Sequence, residues 1–247
     1  MKRRLALPKL FIGFCLILLA GTAAYLVAVK YHRSQAYIPD PKHTYSPGKP
    51  AEIKTDYVML NVPFVSQSPL ARWDDPRQQD GCEEASILMA WLWINNKTMT
   101  KEEAEKAITD TADFEQDRYG SYHDTDAADT VQLMKDYYGY TNLTFKIDPT
   151  IEDIKNTLRE GKLVLVPANG QKLGNPNYKP PGPLTHMLVI KGFDNSKNQF
   201  ITNDPGTRLG DGYVYDYQTV YNAMVNYPTG HHESQDGRPK AMIIISK

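Results

Sequence analysis

A change of pattern at Gly161 constrains this chain more than any other feature. Before it lie segments of helical period, each with its own start and stop signals. After it lie short apolar and β-branched runs separated by turns. Cys82–Asn95 reads as a buried apolar helix, with Asp80 as its cap and Glu83 as the reciprocal partner of a capping box. Thr100-Lys101-Glu102-Glu103 is a second box, opening a helix toward Asp110. Helices are also predicted over 126–138, stopped by Gly139, and over 150–160, stopped by Gly161. Strands are predicted over 57–63, 163–167, 187–193, 199–203, 213–215 and 241–246. A hairpin loop falls at 194–198 and a last helix over 216–226. Helices first and mostly antiparallel strands later is an α+β order, not a doubly wound one.

The N-terminal part is of another kind. Lys2-Arg3-Arg4 precedes an uncharged apolar run from Leu10 to Val29, about the length that crosses a bilayer as a helix. The chain is expected to comprise a cytoplasmic basic segment (1–9), a transmembrane signal anchor (10–29), an extracytoplasmic linker rich in Pro (30–56) and a globular domain (57–247). Cleavage and secretion is the lesser alternative, left open by Ala23-Ala24 and Ala28. Six of the 28 basic residues and none of the 29 acidic ones fall in 1–33, so the remainder carries about seven more acids than bases. Such a domain has no electrostatic footprint for nucleic acid. The oligomeric state is not legible.

Two cysteines are present. Cys15 lies inside the apolar run and reads as a membrane-embedded thiol, with Phe14 too large for a lipoprotein signal. Cys82 is therefore an unpaired cysteine in a domain expected outside the membrane. It begins a helix, where free N–H groups and the dipole favour a thiolate. A nucleophilic thiol needs a base, and histidine serves near neutral pH. Of His43, His123, His186, His231 and His232, His186 is placed best, at the start of a strand beside a loop. The following hairpin returns Asn203 or Asp204 next to it, as an orienting acceptor. An oxyanion donor upstream of the thiol could be Gln67, Gln78 or Gln79. Gln67 follows the strand-like Val62-Pro63-Phe64-Val65-Ser66, which would fix it.

Four motifs in this order, Val62-Pro63-Phe64-Val65-Ser66-Gln67-Ser68-Pro69, Gly81-Cys82-Glu83-Glu84-Ala85-Ser86, His186-Met187-Leu188-Val189-Ile190-Lys191-Gly192-Phe193-Asp194 and Asn203-Asp204-Pro205-Gly206-Thr207, resemble the papain-like cysteine peptidases related to the bacteriocin double-glycine leader peptidases. The stand-alone, transporter-free bacterial branch is the nearest in kind. The resemblance covers residue 57 to the C-terminus. It implies a papain-like fold, with Cys82 as nucleophile, His186 as base, Asp204 as orienting acid and Gln67 as oxyanion donor. It implies no cofactor, and a peptide or protein substrate. Transporter-linked relatives carry ATP-binding domains. This chain shows no phosphate-binding glycine loop, so export of a leader peptide is not implied.

The expected reaction is acyl transfer through a thioester. Water as acceptor gives a peptidase or amidase, and an amine gives a transpeptidase or transglutaminase-like enzyme. A binding module that kept the fold without catalysis is the rival from another class. His231-His232-Glu233 reads as a solvated loop, not a metal site, because adjacent histidines point apart and no acid stands at ligand spacing.

Overall fold

The structure, a computed structural model, describes residues 57–247, which fall within one compact unit. The expected basic segment, signal anchor and linker lie outside the described residues. Among the described residues no helix is long and apolar enough to cross a membrane.

In chain order the elements are β1 (Tyr57–Met59), α1 (Pro76–Gln79), α2 (Cys82–Asn95), α3 (Lys101–Tyr119), α4 (Ala127–Tyr138), β2 (Leu143–Ile147), α5 (Ile151–Arg159), β3 (Leu163–Ala168), α6 (Gly170–Leu173), β4 (His186–Asp194), β5 (Gln199–Asn203), β6 (Asp211–Asp216), α7 (Tyr217–Ala223) and β7 (Ala241–Ile245). The strands form one sheet in the order β2-β7-β3-β4-β5-β6, with β1 added beside the far end of β4. Every pairing is antiparallel. This is the α+β arrangement the element order implies.

Helices cover both faces. Leu163, Leu165, Met187, Val189 and Ile243 pack into a core with the apolar residues of α2 and α4. Their strand neighbours Val164, Val166, Leu188 and Ile190 pack with Ile154 and Leu158 of α5 and Val220 and Ala223 of α7. The unbroken apolar run of β3 follows from this, since successive side chains of a strand point to opposite faces and both are buried. Several segments depart from expectation: the strand expected over 57–63 ends at Met59, and the short helices α1 and α6 were not expected. β2 was not anticipated: Leu-Thr-Phe-Lys-Ile alternates, but only as an edge strand with half-buried and exposed positions. Helix α3 runs on to Tyr119, where Gly120 takes the left-handed conformation that ends it, although its second half carries little apolar pattern. Helix α7 stops at Ala223 because Met224 turns extended and bridges to Ala168.

The start of α2 also differs. Gly81 is the cap and makes no side-chain hydrogen bond to the first turn. Asp80 instead meets the His123 ring at 2.8 Å, and Glu83 turns inward. The expected capping box fails because burial recruits both acids for tertiary contacts. The boxes at Thr100/Glu103 and Thr150/Asp153 are formed, both on exposed helix ends.

Candidate active site

The sheet brings His186 and Asp204 together. His186 is the first residue of β4, and Asp204 directly follows β5. The register pairs Val189 with Asn203, after a bulge between Ile190 and Gly192, so the residue after Asn203 lies toward the start of β4. His186 Nε2 stands 2.9 Å from Asp204 Oδ1, with both side chains almost wholly buried. Asn203 is occupied elsewhere: its amide donates to the Val62 and Pro63 carbonyls at 3.1 and 3.2 Å. Asn203 thus ties down the segment leading to Gln67, and Asp204 is the partner of the imidazole.

Asp204 is saturated with donors. Its Oδ1 accepts from Gly206 N at 3.1 Å as well as facing His186. Its Oδ2 accepts from the Tyr178 and Tyr215 hydroxyls at 2.6 Å and from the Asn175 amide at 2.9 Å. Burial alone would push this carboxyl up. The charge and hydrogen bond of His186 and the tyrosine hydroxyls overcome that and hold it below its ordinary value. Sequence reasoning missed Asn175, Tyr178 and Tyr215. None stands at a local spacing from Asp204, and only the fold collects them.

Two glycines permit this packing. A Cβ on Gly210 would lie 1.8 Å from the Asp204 carbonyl oxygen, and one on Gly206 would lie 2.9 Å from His186 Cε1. Gly206→Ala is expected to displace the imidazole. On the expectation that this ring is the base of a peptidase, peptide turnover should fall about 10–100-fold, because small misplacements of such a group are costly. Retention of wild-type turnover would show that the ring has room to spare.

Cys82 stands on the first turn of α2 and packs in the same core as Met187 of β4. One turn further on, Ser86 Oγ donates to the Met187 carbonyl at 3.5 Å, which brings the start of α2 against the start of β4. Cys82 and His186 line one open cleft of about 1270 Å³, together with Gln67, Tyr178, Trp73 and Leu184. The His186 Nδ1 side of the ring is the one turned away from Asp204.

The thiol environment is not the one its helix position implied. Cys82 is 3% exposed, and its Sγ donates to Glu83 Oε2 at 2.9 Å. Burial pushes the thiol well above its usual range, and the Glu83, Asp124 and Glu84 carboxyls add to that. The helix N-terminus is present, but burial and three acids outweigh it. Glu83 also accepts from the Tyr227 hydroxyl at 2.7 Å and from Thr125 N at 3.2 Å. Burial, with Asp124 nearby, raises it to about 7. Glu83 was read in the sequence only as a capping residue.

Gln67 is buried at the cleft wall, its backbone N–H bonded to the Pro205 carbonyl at 2.9 Å. Its side-chain Nε2 donates to the Gln78 and Gln79 carbonyls at 3.0 and 2.8 Å, and its Oε1 has no partner among the described residues. The amide braces the segment just before Cys82. Gln78 is buried and bonded to Ser68, and Gln79 donates to the Trp73 carbonyl. Of the other histidines, His43 lies outside the described residues. His123 pairs with Asp80, and His232 with Asp124.

The model of the Peptidase_C39 like family matches residues 59–229, well over half of the chain. No curated protein gives a significant match. A crystal structure from Bacillus anthracis, described as a candidate C39-like peptidase, is similar over 78% of this chain and 99% of its own, with 17% identity and a TM-score of 0.48.

Proposed function

We propose a mechanism on one premise: this chain belongs to the Peptidase_C39 like family. Membership supports a cysteine peptidase acting on peptide or protein substrates. The finer reading is that Cys82 is the nucleophile, His186 its base and Asp204 the group that orients the base. The observation that carries it is the buried 2.9 Å pair of His186 Nε2 and Asp204 Oδ1 in the wall of the cleft that Cys82 also lines.

In this reading Asp204 fixes the proton of the imidazole on Nε2 and leaves Nδ1 free to accept. Cys82 Sγ attacks the scissile carbonyl carbon as Nδ1 takes the thiol proton. The C–N bond then breaks, and His186 returns that proton to the departing amine. Water adds to the thioester with its proton passing to His186, and the C–S bond then breaks as the acid is released, with Sγ taking that proton back. The oxyanion is met by the first-turn N–H of Cys82, which has no intrahelical acceptor. Gln67 is the proposed second donor. It can serve only once its amide turns from the Gln78 and Gln79 carbonyls, a movement that bound substrate would drive.

The resting thiol is protonated, so the base acts during attack and not through a standing thiolate. Iodoacetamide is accordingly expected to alkylate Cys82 no faster than free cysteine at pH 6, with a rate that climbs as pH rises. A rate already on a plateau at pH 5 would reveal a preformed thiolate. A peptidyl acyloxymethyl ketone, which seats in the cleft, should label Cys82 rapidly. His186→Ala should slow that labelling about 100-fold or more. Equal labelling of the His186→Ala chain would overturn the catalytic reading.

The same proposal places the domain outside the cytoplasm, tethered by the apolar run over 10–29. The support is the charge asymmetry across that run and the run's length. An alkaline phosphatase fused after Lys247 should be active in cells. An inactive phosphatase, with a cytoplasmic reporter active at the same position, would reverse the orientation.

A further inference from the structure

We propose that Asp80, His123 and His231 form a binding site for a divalent transition-metal ion of the Zn²⁺ class at the edge of the Cys82 cleft. Each residue offers one ligand atom, and all of these atoms lie within 4.8 Å of one another. A tetrahedral Zn²⁺ needs its nitrogen and oxygen ligands about 3.4 Å apart, as follows from metal–ligand distances near 2.0–2.1 Å. Asp80 Oδ2 and His123 Nδ1 stand at hydrogen-bond distance, 2.8 Å, so these two must part by about 0.6 Å to take an ion between them. His231 is exposed and borne on a loop, and it is held there by ring contacts with His123 and His232, each with centroids 4.4 Å apart.

The donor set selects the metal class. Two imidazoles and one carboxylate suit Zn²⁺ and its neighbours, whereas Mg²⁺ and Ca²⁺ require oxygen cages. Three protein ligands leave a fourth position for water. The three residues come from separate segments: the α1–α2 connection, the α3–α4 loop and the loop before β7. Local spacing therefore gave no sign of them, and the pair His231-His232 read as a solvated loop.

The surroundings support the three ligands. Asp124, next to His123, accepts from His232 N at 2.9 Å and faces His232 Nδ1 at 3.1 Å. Gly230 N donates to the Asp124 carbonyl at 3.0 Å. The loop that carries His231 is thus fastened to the segment that carries His123, which reduces the ordering that a metal would have to impose. Asp80, Asp124 and His232 also line the Cys82 cleft. A bound ion would clamp three loops at the mouth of that cleft and place a positive charge beside a cluster otherwise rich in acids. Its role is that of a clamp, with no part in the steps at the thiol.

The test uses the purified full chain carrying Cys82→Ala, which removes the thiol of the cleft as a competing ligand. Zn²⁺ added after EDTA treatment should raise the thermal midpoint by about 5 °C at concentrations well above Kd. Co²⁺ should give the intense visible absorption of a tetrahedral nitrogen and oxygen site. His123→Ala and His231→Ala, added singly, should each abolish both signals, with the His231→Ala midpoint in EDTA unchanged and the His123→Ala midpoint lowered by no more than the loss of its Asp80 contact. Either variant keeping both signals, or the Cys82→Ala chain showing neither, overturns the site. The His186→Ala chain should retain the metal, and its loss there would move the ion to the catalytic histidine and overturn the proposal equally.

Discussion

Replacing Asp204 by Asn is expected to cut peptide turnover by about 10³–10⁴-fold while the domain stays folded. The direction follows from the hydrogen bonds already on Asp204. Three donors, from Tyr178, Tyr215 and Asn175, converge on Oδ2. In the amide variant they keep the carbonyl oxygen on their side, so the NH₂ group must face His186 and Gly206 N. A donor opposite Nε2 forces the imidazole proton onto Nδ1, the nitrogen the proposed base must keep free. The ring remains in place with the wrong tautomer. The cost in stability is one donor-against-donor contact with Gly206 N, about 1–3 kcal/mol. Asp204→Ala should be worse, because it leaves buried hydroxyls and an amide facing a void. A loss of about 3–5 kcal/mol is expected, from leaving several buried donors without an acceptor at about 1–3 kcal/mol each. Turnover and urea midpoints of both variants, measured side by side, separate these effects. An Asp204→Asn chain that keeps a tenth of wild-type turnover would sink the orienting role.

The parts of this molecule that were legible in the sequence are those decided by neighbours in the chain. Helix α2 and strand β5 have the predicted bounds, because each is an apolar run closed by local stop signals. The antiparallel return of β5 on β4 brought Asp204 to His186 for the same reason, with a short loop joining two patterned strands. What was not legible depends on side chains that meet across the fold. Asn175, Tyr178 and Tyr215 reach Asp204 from a long connection and from another strand. Glu83 looked like a cap and proves to be the acceptor of the thiol. Thus the helix-terminus argument for an acidic thiol fails on burial and on carboxyls that only tertiary structure brings near. The Gln67 segment was expected to be fixed by a strand, but β1 ends at Met59 and the segment is held instead by the Asn203 amide and the Pro205 carbonyl. The Gln67 amide is turned toward the Gln78 and Gln79 backbone, which no sequence pattern indicates.

The domain is also expected to be more stable at pH 5 than at pH 8, the reverse of a protein held by paired carboxylates. Glu83, Glu84 and Glu115 are all buried. Burial raises each one. Asp124 adds to the rise at Glu83, the facing Glu115 does so at Glu84, and Glu83 does so at Glu115. Between α2 and α3, Glu84 Oε1 and Oε2 and Glu115 Oε2 have no hydrogen-bond donor among the described residues, so a retained proton is what lets these carboxyls face each other. An acid whose folded value lies above its unfolded one binds more protons when folded. Stability is then fully present below the unfolded value and is lost as pH rises through the folded one. For Glu83 the window runs from 4.5 to about 7, and the loss across it is about 3 kcal/mol. Glu84 and Glu115 act in the same sense. Asp204 acts in the opposite sense, but its contribution fades only as pH falls below its ordinary value of 3.8, outside this window. Urea midpoints at pH 5 and pH 8 measure the difference. Glu115→Gln supplies a permanent donor to Glu84, and should therefore raise the pH 8 midpoint and flatten the slope. A wild-type midpoint that rises from pH 5 to pH 8 would mean that cations or water reach these carboxyls, and that the acids behind the thiol are charged at neutral pH.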